Sequence, residues 1–467
     1  MKRASRVFAL AAGLIAATAF AQVAPPVPPA PDAPRERPRK PIDPLETAAY
    51  RSSPVTLPGG LGTALLYEPK GQARTGVVLV SFDHLAFNRI AAELATRGYR
   101  VLYVHSPEAP AGHFSSAFLG FPQLSAAIHA ARALPQAGKV VLTGWGGGAT
   151  STTLYANVAA NGVAACQRAT LIYRCTAAEA KGLAAPDGLI LFDPGPGAAS
   201  RTSNIDPTYA PDGKRSHMDL DVFSPANGFD VAKGAGTYSP AFRKRYFAAQ
   251  SARYQTIVSK SAARLRELER ATGAGADEPF TFMGADIQGG ALSLHYADLS
   301  ILSRSKRPHL LLKADGTRET TVLRSIRGPA APVGEDALRR VDARRAAPSP
   351  SNSTLRSYLA NDAIRVSANF ALTADDITGV DWSSSLSTPI GQAEGVRVPS
   401  LVMTNTCFQF VVPGELVFDH LGARDKEQVG VEGSEHFLNS CGPQFGDTKA
   451  RLFDYVANWL AKPGRFN

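Results

Sequence analysis

The sequence predicts an α/β architecture: a mostly parallel sheet with helices on both faces, interrupted by an inserted, mainly helical cap. Three observations carry this. Short apolar runs alternate with amphipathic stretches from about Val55 to Asp193. A strand, a sharp glycine turn and a helix follow one another in Lys139–Ser151, read as KVVLTGWGGGATS. The alternation stops near Arg201 and resumes after Gln392.

Taken in order, Val55–Pro69 reads as two strands around Pro58-Gly59-Gly60, and Gly76–Val80 as a short buried strand. Ala86–Arg97 has Ile90, Leu94 and Ala95 spaced for one helical face, closed by Gly98. Tyr99–Val104 is the next strand, and Phe121–Leu134 a helix with Leu124, Ile128 and Ala131 inward. Val140-Val141-Leu142 leads into the glycine turn, and Ala149–Ala160 is helix-like. Asp187–Asp193 (DGLILFD) is a further strand ending on an acid. In the middle third, Ser239-Pro240 starts a helix, with Ser as N-cap and Pro in the first turn, running to about Ala271. Thr354–Ala360 reads as a short helix capped by Ser353, and Arg318–Pro350 as partly irregular. Beyond Gln392 come a strand at Pro399–Met403, a helix at Glu415–Leu421, a strand at Gln428–Val431, a loop carrying His436, and a last helix at Gly446–Ala461. The expected division is therefore a targeting segment (1–21), a Pro-rich linker (22–50), a core in two parts (51–200 and 393–467) and a cap (201–392).

Composition bounds the function. The chain has 467 residues, 44% hydrophobic and 19% charged, with a formal charge of +10. Removal of Lys2, Arg3 and Arg6 with the targeting segment leaves 10 − 3 = +7. The densest basic cluster, Arg339-Arg340 with Arg344-Arg345, is interrupted by Glu335, Asp336 and Asp342 and has no interleaved aromatics. It reads as a solvated helix face, so no nucleic-acid partner is implied. The charged start, the apolar Val7–Ala17 and the A-x-A site Ala19-Phe20-Ala21 predict export to the periplasm or medium with cleavage after Ala21. No later run approaches ~18 apolar residues, so no transmembrane segment is expected. In an oxidising compartment the four cysteines favour two disulfides. Three pairings are formally open; the local pairs Cys166–Cys175 and Cys407–Cys441 are preferred. No metal-ligand spacing is present, and no cofactor is implied.

The chemistry turns on Gly144-Trp145-Gly146-Gly147-Gly148. Strand, glycine turn and helix is the layout of the nucleophile elbow G-x-S-x-G, with both frame glycines kept and glycine in the serine position. This elbow, the helical insertion and the His-bearing loop before the last helix resemble the α/β-hydrolase superfamily. The runs APDGLIL (Ala185–Leu191), DLDVFSPANGF (Asp219–Phe229), YSPAFRKRY (Tyr238–Tyr246) and TLRSYL (Thr354–Leu359) are similar to an exported subgroup of ester hydrolases. The resemblance implies the α/β-hydrolase fold and a triad in chain order Ser…Asp…His. His436, in VEGSEHF, takes the place of the base. The acid's place after the Pro399–Met403 strand falls on Phe408. The oxyanion loop begins at Ser81-Phe82, with Gly147 supplying the amide after the elbow. The resemblance also makes the Cys407 and Cys441 loops neighbours. Nucleophile and acid are thus both expected to be lost, which leaves His436 as a relic base. Restoring turnover should then need both Gly146→Ser and Phe408→Asp.

Other residues offer weaker candidates for these roles. Thr150 and Ser151 lie within the following helix and read as structural. Asp193 is an alternative acid, read first as a turn cap. Asp83-His84 is an adjacent pair, and Glu435 faces solvent. The expected function is a non-catalytic binder of a small ester, acid or acyl ligand beneath the cap. One alternative is an active ester hydrolase with another nucleophile. A second is a nucleotide-binding oxidoreductase, because Gly144–Ala149 also fits G-x-G-x-x-G/A; that fingerprint wants an acid about 20 positions on, which is missing.

Overall fold

The apolar runs do become strands, and their alternating residues divide between two cores. The computed structural model describes residues 43–83, 88–105, 118, 120–285, 293–349 and 353–466. The expected targeting segment and most of the Pro-rich linker lie outside them. The main sheet has ten strands: β1 (Tyr50–Thr56), β2 (Thr63–Pro69), β3 (Val77–Asp83), β4 (Arg100–His105), β5 (Lys139–Trp145), β6 (Gly188–Phe192), β7 (Arg304–Leu312), β8 (Arg318–Arg324), β9 (Ser400–Asn405) and β10 (Lys426–Val431). Their spatial order is β1-β2-β4-β3-β5-β6-β9-β10-β7-β8. The run from β4 through β7 is parallel, and β1, β2 and β8 join antiparallel.

Strands buried on both faces read as continuous apolar runs, which is why β3, β5 and β6 were visible in the sequence. On one face Val78, Val80, Leu142 and Leu191 pack under the helices α2 (Phe121–Arg132) and α3 (Gly147–Asn161). On the other, Leu79, Val141, Ile190, Met403 and Val431 meet α1 (Arg89–Thr96) and the final helix.

The insertion between β6 and β9 has its own core. It is organised by α4 (Pro240–Thr272), whose Phe242, Tyr246, Tyr254, Val258 and Leu265 are buried. Ser239 caps α4 as expected, its hydroxyl accepting from the Phe242 amide at 3.1 Å. The short helix Leu355–Asn361 is capped by Thr354 rather than Ser353: the Thr354 hydroxyl accepts from the Ser357 amide. The insertion is less helical than expected. It supplies β7 and β8 to the main sheet and a separate hairpin, Arg365–Leu372 with Ile377–Asp381. After it come α5 (Val411–His420) and α6 (Thr448–Leu460). Both preferred disulfides are present, Cys166–Cys175 and Cys407–Cys441. Among the described residues no helix is long and apolar enough to cross a membrane.

Candidate functional site

The site is assembled at the carboxyl ends of β5, β6, β9 and β10. β5 runs to Trp145, and the chain turns at Gly146 (φ 51°, ψ −113°) directly into α3. A side chain is strained at that φ, and glycine is not. The Gly146 amide donates to the Phe192 carbonyl at 3.0 Å, so the turn is pinned to the end of β6. Gly144 is needed for a different reason. A Cβ there would lie 2.3 Å from the Thr152 hydroxyl and 2.6 Å from the Gly148 carbonyl, because α3 crosses that close. The turn therefore has the shape of a nucleophile elbow with an empty tip.

The tip faces His436. A Cβ on Gly146 would sit 3.0 Å from His436 Nε2 and 3.1 Å from its Cε1. His436 Nδ1 is 2.6 Å from Oδ2 of Asp193. A hydrogen bond of that kind fixes the tautomer and leaves Nε2 as the basic nitrogen, aimed at the elbow. Asp193 is fully buried at the end of β6, with φ at +47°. Its second oxygen accepts from the Asn405 amide at 3.1 Å, and its own amide donates to Met403 O. Where a local turn cap was expected, one oxygen ties the end of β6 to the end of β9 and the other makes the histidine contact.

This corrects one expectation. The sequence places the acid at Phe408 and leaves His436 without a carboxylate partner. Phe408 instead lies flat against the imidazole, ring centroids 4.4 Å apart and planes 17° apart. Trp145 lies tilted against the ring at 4.6 Å, and Phe410 meets it edge-on at 5.3 Å. The carboxylate arrives from β6 because β6 lies between β5 and β9, so its end adjoins both the elbow and the β9 turn.

The histidine loop is held from several sides. The Trp145 indole N–H donates to the His436 carbonyl at 2.6 Å. Arg89 at the start of α1 donates to the Phe437 carbonyl and to Asn439 Oδ1, and pairs with Asp43. Leu438 adopts φ +64°, and the Cys407–Cys441 bridge ties this loop to the Phe408 turn. Arg89, Trp145 and Phe410 were not singled out in the sequence. Glu435 is half-buried and accepts from Asn439 Nδ2, so it serves the loop rather than simply facing solvent.

Ser81 and Phe82 do not open the oxyanion loop, because β3 continues through them to Asp83. Ser81 is buried in register between Tyr103 and Thr143, and Phe82 packs on Gly120. The apolar Phe82 extended the strand past the point where Ser81 suggested a loop. His84 lies outside the described residues, as does the rest of that loop. Gly147 is exposed and opens α3. Thr150 and Ser151 lie within α3. For the dinucleotide reading, the first acid at the end of the next strand is Asp193, whose carboxylate is committed to His436 and the Asn405 amide. Among the described residues no group of three or more metal-ligating side chains forms a candidate metal site.

Eight strands in the order β1-β2-β4-β3-β5-β6-β9-β10, an elbow after the fifth and a histidine after the last decide the architecture. The chain has the α/β-hydrolase fold. No protein-family model and no curated protein matches the sequence. Among solved structures, hypothetical protein PA2218 from Pseudomonas aeruginosa is similar at 14% identity, covering 91% of this chain and 97% of that one, with a TM-score of 0.40. Carboxyl esterase 2 from the mycorrhizal fungus Tuber melanosporum is similar at 9% identity, covering 89% and 87%, with a TM-score of 0.39. An esterase of the bacterial hormone-sensitive lipase family is similar at 10% identity, covering 91% and 87%, with a TM-score of 0.37. Likeness at these scores adds nothing to the strand order, on which the fold assignment rests.

Proposed function

We propose that this α/β-hydrolase-fold protein binds a small ester, acid or acyl ligand over the elbow without forming an acyl-enzyme. The observation that carries this is Gly146: the tip that would hold a nucleophile has no side chain, and His436 Nε2 occupies the space beside it. Acyl transfer by covalent catalysis needs a nucleophile within hydrogen-bond reach of its base. Of the hydroxyls nearest in sequence, Thr143 is buried within β5, and Thr150 and Ser151 belong to α3. The test combines a fluorophosphonate probe with mass spectrometry of ligand carried through purification. The expected result is no covalent labelling and a retained small molecule whose binding falls on His436→Ala. Stoichiometric labelling of any serine or threonine would sink the reading.

One observation favours a second reading. His436 keeps its carboxylate partner, so the dyad has the geometry of a general base. A water held where the serine hydroxyl would be could then attack an ester carbonyl directly, giving up its proton to Nε2. Wild-type hydrolysis of p-nitrophenyl butyrate that is lost in both His436→Ala and Asp193→Asn, with no covalent labelling, would favour this reading over simple binding.

We also propose that the protein works outside the cytoplasm. The cleavable N-terminal pattern and the two disulfides support this. The Pro-rich stretch would then act as a spacer before the folded body.

A further inference from the structure

The cap contains a cavity that shares no lining residue with the elbow or the histidine loop. Its volume is about 470 Å³, within the range of small-molecule sites. One wall is a stripe of α4: Arg253, Ile257, Lys260 and Arg264 recur at helical spacing and share a face. The facing wall carries Phe280, Phe282 and Met283. The body of the cavity is thus apolar, its cationic groups sit on the helix, and Asp212 and Glu278 add two carboxylates from outside it.

The charges there are not balanced. Arg264 and Glu278 neutralise each other in a two-bonded pair, at 2.9 and 2.8 Å. Asp212 closes its own turn by accepting from the Lys214 amide. Arg253 spends its guanidinium on the carbonyls of Asp206, Gly284 and Met283 and lies over the Tyr209 ring. Lys260 is exposed at the cavity and has no ion-pair partner among the described residues. An apolar slot with one uncommitted ammonium is complementary to an amphipathic anion. The head should be singly charged and compact. A phosphate would favour a free arginine fork, and the two forks here are already committed.

We propose that this cavity binds an organic carboxylate with an alkyl or aryl body, the body lying along Ile257, Phe280, Phe282 and Met283 and the carboxylate pairing with Lys260. The site is independent of the elbow and stands whether or not the elbow reading does. Calorimetric titration of the exported chain with decanoate, with 1-decanol as the neutral control, tests it. Decanoate should bind saturably and about tenfold more tightly than decanol, the scale of one charge-assisted contact. Lys260→Gln should remove that preference. Ile257→Trp, which fills the slot, should abolish binding, with thermal melts confirming that each variant is folded. His436→Ala should leave the Lys260-dependent part of decanoate binding unchanged. The proposal is overturned by an absence of saturable binding, by equal affinity for decanol, by affinity unchanged in both cap variants, or by loss of all decanoate binding in His436→Ala, which would put the carboxylate over the elbow instead.

Discussion

Two histidines flank the turn Cys407–Phe410, and their partners give them opposite characters. His436 meets a carboxylate, Asp193, at 2.6 Å, and its side chain keeps 18% of its surface open. His295, on the short helix Leu294–Ala297 of the cap, is buried and meets an amide, with Nε2 donating to Gln409 Oε1 at 3.0 Å. Burial, aided by the neighbouring Arg327 guanidinium, pushes the His295 pKa down to about 3 against the opposing effect of the Gln409 bond. One turn thus presents Phe408 to a base and Gln409 to a neutral strut. A histidine becomes a base here through its carboxylate and its open Nε2. Buried against an amide and a cation, the same residue can only join cap to core.

The sharpest way to break this comparison is to give His436 a nucleophile. Gly146→Ser should raise p-nitrophenyl butyrate turnover by about 10³-fold over wild type and create fluorophosphonate labelling, because the rest of the triad is in place. This departs from the expectation that two substitutions are needed. The gain should fall short of a native hydrolase for two reasons. The φ of +51° costs a serine about 1–3 kcal/mol. The imidazole, 3.0 Å from the new Cβ, must also retreat by a few tenths of an ångström while packed against two rings. Asp193→Asn in that background should erase most of the gain. A folded Gly146→Ser variant with neither labelling nor turnover would show that the His436–Asp193 pair is not a working base.

A second measurement addresses the loop that separates the two histidines' surroundings. The Cys407–Cys441 bridge ties the shared turn to the His436 loop and closes 34 residues, against 9 for Cys166–Cys175. In the chain-entropy picture these are worth about 4 and about 3 kcal/mol. Urea unfolding of the two paired Cys→Ser variants should therefore rank the Cys407–Cys441 loss as the larger. The reverse order would place more of the stability in the α3 side of the core than in the site.

How much of this was legible follows from what each feature depends on. β3, β5 and β6 are buried on both faces and read as unbroken apolar runs. β7 (RSKRPHLLL) and β8 (RETTVLR) were missed because they form an edge of the sheet, where charges and threonines face solvent and the apolar pattern is diluted. The elbow is local, so strand, glycine and helix were enough to find it. The acid depends on strand order. That β6 ends beside β9 and the histidine loop is a long-range fact that no window around Asp193 contains. The nearest local hint was an aspartate closing DGLILFD at the sheet's carboxyl edge, the same place a turn cap would occupy.

A third prediction uses the protonation contrast. The unfolded chain binds a proton at His295 near its ordinary 6.5, and the folded chain resists until about 3. Between those values the unfolded state holds more protons, so this group's contribution to stability is present above 6.5 and is lost as pH falls. The slope approaches about 1.4 kcal/mol per pH unit, or roughly 2 kcal/mol by pH 5. Chemical unfolding from pH 7.5 to 5 should show this loss, and His295→Gln should flatten that part of the profile. An unchanged profile in His295→Gln would mean that His295 takes up its proton without unfolding and is no strut.

The smallest effect expected is at Phe408, and it separates orientation by a carboxylate from packing by a ring. Phe408 stacks on the imidazole at 4.4 Å and Trp145 lies tilted against it at 4.6 Å, and these contacts help hold the ring with Nε2 toward the elbow. Phe408→Leu keeps apolar cover but loses the stacked geometry. It should cost about 0.5–1.5 kcal/mol in unfolding free energy. In the Gly146→Ser background it should lower kcat a few-fold with KM little changed, since the ring positions the base rather than the ligand. Phe408→Tyr should retain both. Phe408→Asp distinguishes the two accounts of the acid. A carboxylate at this position would approach the flat face of the imidazole, while the Nδ1 proton is already held by Asp193 Oδ2. It should therefore give no gain over Gly146→Ser alone, and a lower melting temperature. A tenfold rise in turnover in Gly146→Ser/Phe408→Asp would mean that the β9 turn, and not the end of β6, is where the orienting acid belongs.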